Sequence, residues 1–373
     1  MNRTYVRRSI ATASALALAA TLAACGGAAN ESGSGSDSTG AGNGGAAVSG
    51  TISGAGASSQ AAAVEAWKAG FEGANPGATV NYDPVGSGGG RTQFLAGGVQ
   101  FAGSDAYLKK EELDKVSGAC KGGDVIEAPV YVSPIAIAYK VDGVTDLQLS
   151  APTIAKIFAG KITKWDDAAI KADNPNATLP STAITPVHRS DESGTTENFT
   201  DYLAKAAPAD WTHEADGAWP ISGGEAAKGT SGVVQAIRAG NGTIGYADES
   251  QVGDLGKAKV KVGEEYVEIS PEAAAKIIDE STPVADRPEF SYALDLKRDT
   301  TAGGTYPIVL AAYSLACTKY ENQAQADLVK SWMTYIFSEE GQKVSQQAAG
   351  SAPISEKTRE AAMKGINTIS AAG

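Results

Sequence analysis

The residues of this chain best suited to holding an anion lie together between Thr185 and Phe199, in the stretch TPVHRSDESGTTENF. Arg189 ends a short run in which Ile184 and Val187 suit a buried strand. Ser193 or Thr195 suits a helix N-cap, and Glu197 falls inside the first turn that follows. A helix start leaves backbone N–H groups without intrahelical partners and carries the positive end of the helix dipole. With serine and threonine hydroxyls and one guanidinium added, those groups form a cradle for a tetrahedral oxyanion. Asp191 stands where it can pair with Arg189 and hold it in place. Taken alone, the same residues also suit a surface turn with an exposed arginine.

Two more stretches repeat the pattern. Val48 to Ser53 predicts a strand, GAGASS at 54–59 a turn, and Ala61 to Phe71 a helix with Val64, Trp67 and Phe71 on its core face. Ala78 to Val85 predicts the next strand, GSGGGR at 86–91 the turn, and a helix runs on through Phe94 and Leu95. Ser58, Ser59 and Ser87 thus stand where helices begin. The glycines carry neither a Walker lysine nor a strict dinucleotide fingerprint, so they serve tight turns or a close backbone approach. Val99 to Ala102 then ends at Gly103-Ser104-Asp105-Ala106. Asp105 either caps the helix carrying Lys109, Glu111 and Leu113 or points a carboxylate into a cleft.

The remaining chain must position these turns. Val125 to Ala138 is apolar but broken by Pro129 and Pro134, which predicts an irregular or edge strand crossing between domains. A helix starts at Ser150-Ala151-Pro152 and stops at Gly160; a short helical turn follows Trp165. Further elements are a helix over Gly229 to Arg238, a strand at Gly242 to Tyr246, a hairpin between Val260 and Ile269, a buried strand from Tyr306 to Leu315, and an amphipathic helix from Leu328 to Phe337. Strands alternating with helices predict an α/β fold with largely parallel sheet. In such sheets ligands bind beyond the carboxyl ends of the strands, where these turns lie.

The chain is 42% hydrophobic and 20% charged, with a net charge of −12. So acidic a protein does not select nucleic acid, whereas a local cradle for a small anion acts at contact range and is compatible with it. Residues 1–24 are expected to be a signal peptide: a basic start, an apolar run from Ile10 to Ala20, then Leu22-Ala23-Ala24-Cys25. That ending matches the bacterial lipobox, which places lipid on Cys25, and Arg7-Arg8 also permits a twin-arginine route. Residues 25–49 are expected to be the lipidated cysteine and a flexible tether of Gly, Ala, Ser and Asn, spanning on the order of 25–30 Å. A body held this way sits outside the cytoplasmic membrane, and no transmembrane span is predicted past the signal.

Ala55-Gly56-Ala57-Ser58, Gly86-Ser87-Gly88-Gly89, Gly103-Ser104-Asp105-Ala106, Lys161-Ile162-Thr163-Lys164-Trp165 and His188 to Thr195 stand in the order found in phosphate-binding proteins of ABC transporters. Gly242 to Tyr246 and Thr305-Tyr306-Pro307-Ile308 fit as well. The chain resembles that family over everything after the tether. The resemblance implies a two-lobed, class II periplasmic-binding-protein fold that closes around one inorganic phosphate. Each lobe is a mostly parallel sheet flanked by helices, with two crossover segments at the hinge. Carried over by position, the ligand-binding residues are Ser58, Ser59, Ser87, Asp105, Arg189, Ser193, Gly194 and Thr195. Ser59 replaces a usual aromatic residue, at a position where the family contact is the backbone N–H. Glu192 stands where glycine is common. Asp105 suits an anion that carries a proton, as phosphate does near neutral pH and sulfate does not.

These readings predict lobe one from 50–131 and 306–373 and lobe two from 132–305. The expected protein is a monomer anchored to the outer face of the bacterial cytoplasmic membrane. It captures phosphate and delivers it to a membrane-embedded ABC permease, with no cofactor, no metal, no nucleic acid and no enzymatic step. The alternatives are another oxyanion (sulfate, molybdate or a phosphonate), a surface protein that senses phosphate or adheres, and a phosphate-ester hydrolase. Only His188 and His213 are available to such a hydrolase, and His213-Glu214 lacks the second histidine of a zinc-protease motif, because Gly217 stands there. Cys120 and Cys317 are expected to pair in an exported protein. Cys120 lies 11 residues before Tyr131 and Cys317 lies 11 after Tyr306, so two antiparallel crossing segments would bring both to one end of lobe one.

Overall fold

The computed structural model describes residues 48–373, and strand and helix alternate along them from the start. The expected signal peptide, Cys25 and most of the tether lie outside the described residues. Strand β1 (Gly50–Gly56) feeds helix α1 (Ala61–Ala74), which buries Val64, Trp67 and Phe71 on one face. Strand β2 (Ala78–Asp83) feeds α2 (Ser87–Leu95), and β3 (Phe101–Ser104) ends beside Asp105. The long strand β4 (Val125–Lys140) follows, then α3 (Ala151–Phe158). Next come β5 (Thr185–Arg189) with α4 (Gly194–Ala206), and β6 (Glu225–Ala227) with α5 (Gly229–Ala239). Strand β7 (Thr243–Asp248) runs into the short helix α6 (Glu249–Val252). After β8 (Gly256–Lys257) the chain makes a hairpin in which Val260 faces Val267, and it returns through β9 (Val309–Cys317) to helix α7 (Gln323–Phe337).

One nine-stranded sheet runs in the order β2-β1-β3-β9-β4-β7-β5-β6, with β8 also paired to β4. Its two outer parts are parallel: β1 with β2 and β3, and β5 with β6 and β7. Strands β9 and β4 join them antiparallel. All residues of β4 before Lys140 are buried. Its first part pairs with β9, from Val125 opposite Cys317 to Pro134 opposite Val309; its second part pairs with β7, from Ile135 opposite Asp248.

Of the expected irregular or edge strand at Val125 to Ala138, the structure shows the irregularity and corrects the edge. The strand is central. Proline cannot donate to a ladder, and both prolines sit where the ladder is interrupted anyway. Pro129 borders a register shift between Ala312 and Tyr313, and Pro134 is the last residue before β4 changes partner.

Cys120 and Cys317 form a disulfide with Cα atoms 5.1 Å apart. Closing so long a loop stabilises by on the order of 5 kcal/mol at most in the chain-entropy treatment. The register behind the bond differs from the expected one: Tyr131 lies opposite Ala312, not Tyr306. Cys317 faces Val125 instead, and the helical turn ending at Cys120 folds back to reach it.

Candidate functional site

The ends of β1, β3 and β5 and the starts of α1, α2, α4 and α5 converge at one place between the two parallel parts of the sheet. Within β5–α4, the local sequence organises itself. Arg189 is buried at the strand end, and its Nε and Nη2 donate to the two carboxylate oxygens of Asp191 at 2.8 and 2.6 Å. Asp191 also accepts from the N–H of Gly229, which opens α5. Burial pushes the Asp191 carboxyl up, but the Arg189 hydrogen bond and charge outweigh it and hold the group below its ordinary range. The Arg189 N–H donates to the Tyr246 hydroxyl, which also bonds Thr196 Oγ1 at 2.8 Å. Ser193 caps α4 by accepting the Thr196 N–H.

Asp105 lies opposite. It does not cap the 110–113 helix, whose cap position is Lys109; it faces the cleft. Its carboxylate accepts from Ser59 Oγ at 2.6 Å and Thr195 Oγ1 at 2.8 Å, so it ties a turn from each parallel part of the sheet. Burial raises its affinity for a proton, against the Ser59 and Thr195 hydrogen bonds and the Arg189 charge, which lower it; the net direction is up. Each oxygen keeps a lone pair for one more donor.

The serine hydroxyls share a further property. Ser58 Oγ accepts the Thr230 N–H, Ser87 Oγ accepts the Asp105 N–H, and Ser193 Oγ accepts the Thr196 N–H. A hydroxyl that accepts from an amide still has its own proton to give. Three such hydroxyls, the Arg189 guanidinium and the α4 N-terminus therefore gather at the turns that Asp105 joins. Among the described residues, no protein acceptor meets the N–H of Ser59, Gln60, Gly194 or Thr195. Gly194 is required for this closeness: a Cβ there would lie 2.6 Å from Asp105 Cβ and 2.8 Å from Ser87 Oγ.

The structure thus brings together all eight residues expected at the site, with Asp191 behind Arg189. It adds several that carry no local signal in the sequence. Asn198 Nδ2 donates to the Asp105 carbonyl at 2.6 Å, and Asn198 is held in turn by the buried Arg298. Arg298 also donates to Asp201 and to the carbonyls of Pro307 and Val309. Arg91 of α2 donates to Glu192 at 2.8 Å, so the unusual acid at 192 meets a partner across the cleft. Gly86, at φ +97, passes so close that a Cβ would lie 2.6 Å from Asp191 Oδ2. Thr230 and Gln251 also reach the Ser58–Ser59 turn.

Neither histidine approaches these serines. The His188 ring nitrogens lie 3.0 and 3.1 Å from the carbonyls of Arg189 and Gly223, and His213 packs edge-on against Trp211. Among the described residues, no group of three His, Cys, Asp or Glu side chains could hold a metal ion, and no helix is long and apolar enough to cross a membrane.

Known proteins resemble this chain in sequence and fold. The PBP superfamily domain matches residues 41–340. Phosphate-binding protein PstS 3 of Mycobacterium leprae (strain TN) is 36% identical over 293 residues, covering 76% of this chain and 78% of its own. The chain belongs to the PstS phosphate-binding protein family. A second member, PstS2 of Mycobacterium bovis (strain BCG / Pasteur 1173P2), is 34% identical over 331 residues, covering 86% of this chain and 87% of its own. These family members are named as binding proteins, not enzymes. The fold matches that of a high affinity periplasmic phosphate-binding protein solved with phosphate, with a TM-score of 0.69 at 22% identity over 83% of this chain and 92% of that one. It also matches a phosphate-binding protein from Stenotrophomonas maltophilia, with a TM-score of 0.67 at 22% identity over 84% and 93%.

Proposed function

We propose that this protein captures inorganic phosphate between its two lobes and delivers it to a membrane-embedded ABC permease, held outside the cytoplasmic membrane by lipid on Cys25. The observation that carries the reading is the donor set closed around one buried carboxylate. Arg189 supplies charge and a planar fork fixed by Asp191. Ser58, Ser87 and Ser193 supply hydroxyl protons, and Ser59, Gly194 and Thr195 supply amides at helix starts. Asp105 is the one acceptor, and it takes the proton that phosphate retains near neutral pH. Sulfate has no such proton, so the same carboxylate repels it. Membership of a family whose relatives are named for phosphate supports this choice over sulfate, molybdate or a phosphonate.

In this reading the lobes are the two parallel parts of the sheet, close to 50–131 with 306–373 and to 132–305, and β4 and the approach to β9 cross between them. One amendment follows from Glu127. It pairs through its backbone with Phe290 and Tyr292, and its buried carboxylate bonds Arg287 and Ser291. Residues 287–292 therefore belong with lobe one. The protein acts as a monomer.

Calorimetry with phosphate and with sulfate tests the ligand: tight phosphate binding and no sulfate heat are expected, and equal binding of both would overturn the role of Asp105. Cys25→Ser tests the anchor. It should release the protein from the membrane fraction, and full retention would show that something other than lipid on Cys25 holds it.

A further inference from the structure

Thr230 and Gln251 belong to the part of the molecule that carries Arg189, yet both bond to the Ser58–Ser59 turn on the other part. Thr230 is the second residue of α5 and is buried. Its N–H donates to Ser58 Oγ at 3.1 Å, and its own Oγ1 lies 3.1 Å from the same atom. Gln251 lies on α6, and its Nε2 donates to the carbonyls of both Ser58 and Ser59 at 2.8 Å. A side-chain amide has two protons, one for each carbonyl.

The consequence follows from peptide geometry. In a trans peptide the C=O and N–H point in opposite directions. Holding the Ser58 and Ser59 carbonyls on Gln251 therefore turns the N–H groups of Ser59 and Gln60 away from α6. These are two of the amides that no protein acceptor meets among the described residues. Thr230 acts on the neighbouring hydroxyl in the same sense. When its N–H and Oγ1–H both donate to Ser58 Oγ, the Ser58 proton is directed outward.

The turn itself supplies none of this order. Gln60, at the cap position of α1, makes no side-chain capping bond. The α6 helix that carries Gln251 is fixed independently, because Asp248 caps it by accepting the Ser250 N–H and is held by the Tyr131 hydroxyl of β4.

We propose that Thr230 and Gln251 are positioning residues: on closure they aim the Ser58 hydroxyl and the Ser59 and Gln60 amides at the bound oxyanion. The proposal rests on the phosphate reading of the site. These bonds join opposite sides of the cleft, so they form as it closes and break as it opens. They act on release of the anion more than on its capture.

The test uses the full chain and inorganic phosphate. Affinity is measured by calorimetry, and association and release by stopped flow with a phosphate trap. Melting of the phosphate-free protein is followed for wild type, Gln251→Leu, Thr230→Val and Thr230→Ser. Gln251→Leu should raise the release rate about tenfold, consistent with two lost hydrogen bonds. Its association rate and phosphate-free melting point should stay close to wild type. Thr230→Val should release phosphate about threefold to tenfold faster, and Thr230→Ser should return to the wild-type rate because it keeps the hydroxyl. Wild-type release from both Gln251→Leu and Thr230→Val would overturn the positioning role alone. Loss of affinity accompanied by a matching fall in the phosphate-free melting point would do the same, by showing a structural role. A wild-type protein that binds no phosphate would remove the site reading, and this proposal with it.

Discussion

The turns β1–α1 and β5–α4 have the same plan, strand then turn then helix, and face each other across the cleft. They reach their order by opposite routes. In β5–α4 the ordering residues lie in one stretch: Arg189 is clamped by Asp191, and Ser193 caps the helix. In β1–α1 they lie far away. Ser58 meets Thr230, Ser59 meets Asp105, and both carbonyls meet Gln251. One turn is therefore ordered mainly within its own segment, and the other takes two of its three partners, Thr230 and Gln251, from across the cleft; on the proposed reading those two contacts form on closure. A hinged binding protein gains from that asymmetry. On the proposed reading the charged, self-ordered side catches the anion, and the contacts of Thr230 and Gln251 with the other side depend on closure.

The largest expected effect comes from breaking the self-ordered side. Arg189→Ala should cost about 3 kcal/mol or more in phosphate affinity by calorimetry, because a charge-assisted donor is lost inside a closed cleft. Arg189→Lys should recover only part, since lysine has no fork to match Asp191 and an oxyanion together. An alanine variant with wild-type affinity would move the site elsewhere.

A second effect reaches the other turn through Asp248. Burial raises this carboxyl to about 7, the Ser250 and Ser133 hydrogen bonds oppose the rise, and the nearby Asp105 charge adds to it. In the unfolded chain the group titrates near the ordinary carboxylate value of 3.8. The folded state therefore binds a proton that the unfolded state does not between those values. The stabilisation is complete below about 4 and is lost as pH rises through about 7, at about 1.4 kcal/mol per unit of separation. Asp248→Asn should flatten that slope in denaturant titrations. An unchanged slope would show that Asp248 is ionised in the folded protein at lower pH.

Sequence alone makes one side of this comparison far more legible than the other. Arg189, Asp191 and Ser193 bond groups a few residues away, so their types and spacing carry the message. The serines at 58, 59 and 87 are legible as donors, because strand–turn–helix units place them at helix starts. Thr230, Gln251, Asn198, Tyr246 and Arg298 are not legible. Each reaches the site through space, and a glutamine on a four-residue helix has no local signature. For the fold, strand and helix order follows from apolar periodicity and turn residues. The one clear departure is β4: a local rule about proline predicts an irregular or edge strand, and the prolines do occupy the bulge and the change of partner, but in a central strand.

Asp105 is where the two turns meet, and its effect should be on choice of ligand more than on strength. In Asp105→Asn the amide can still meet a phosphate hydroxyl and the Ser59 and Thr195 hydroxyls, but it no longer repels a fully ionised oxyanion. Wild type should ignore sulfate, and the variant should admit it, with the phosphate preference falling by about tenfold or more. Continued exclusion of sulfate would place selectivity elsewhere.

The smallest effects separate the two turns most sharply, through a pair of serine deletions. Ser193 caps α4 with a bond inside its own segment, so it holds whether the cleft is open or shut. Ser193→Ala should lower the stability of phosphate-free protein by about 1 kcal/mol, the usual cost of a lost cap, and weaken phosphate binding as well. The Ser58 hydroxyl bonds to Thr230 across the cleft, so on the proposed reading that bond is lost when the lobes part. Ser58→Ala should leave phosphate-free stability close to wild type and weaken phosphate affinity by about 1 kcal/mol, as for one neutral hydrogen bond. Denaturant unfolding without phosphate, run beside calorimetry with it, gives both numbers for both variants. If Ser58→Ala destabilises the phosphate-free protein as much as Ser193→Ala does, the β1–α1 turn is ordered before closure, and the asymmetry between the two sides of the cleft disappears.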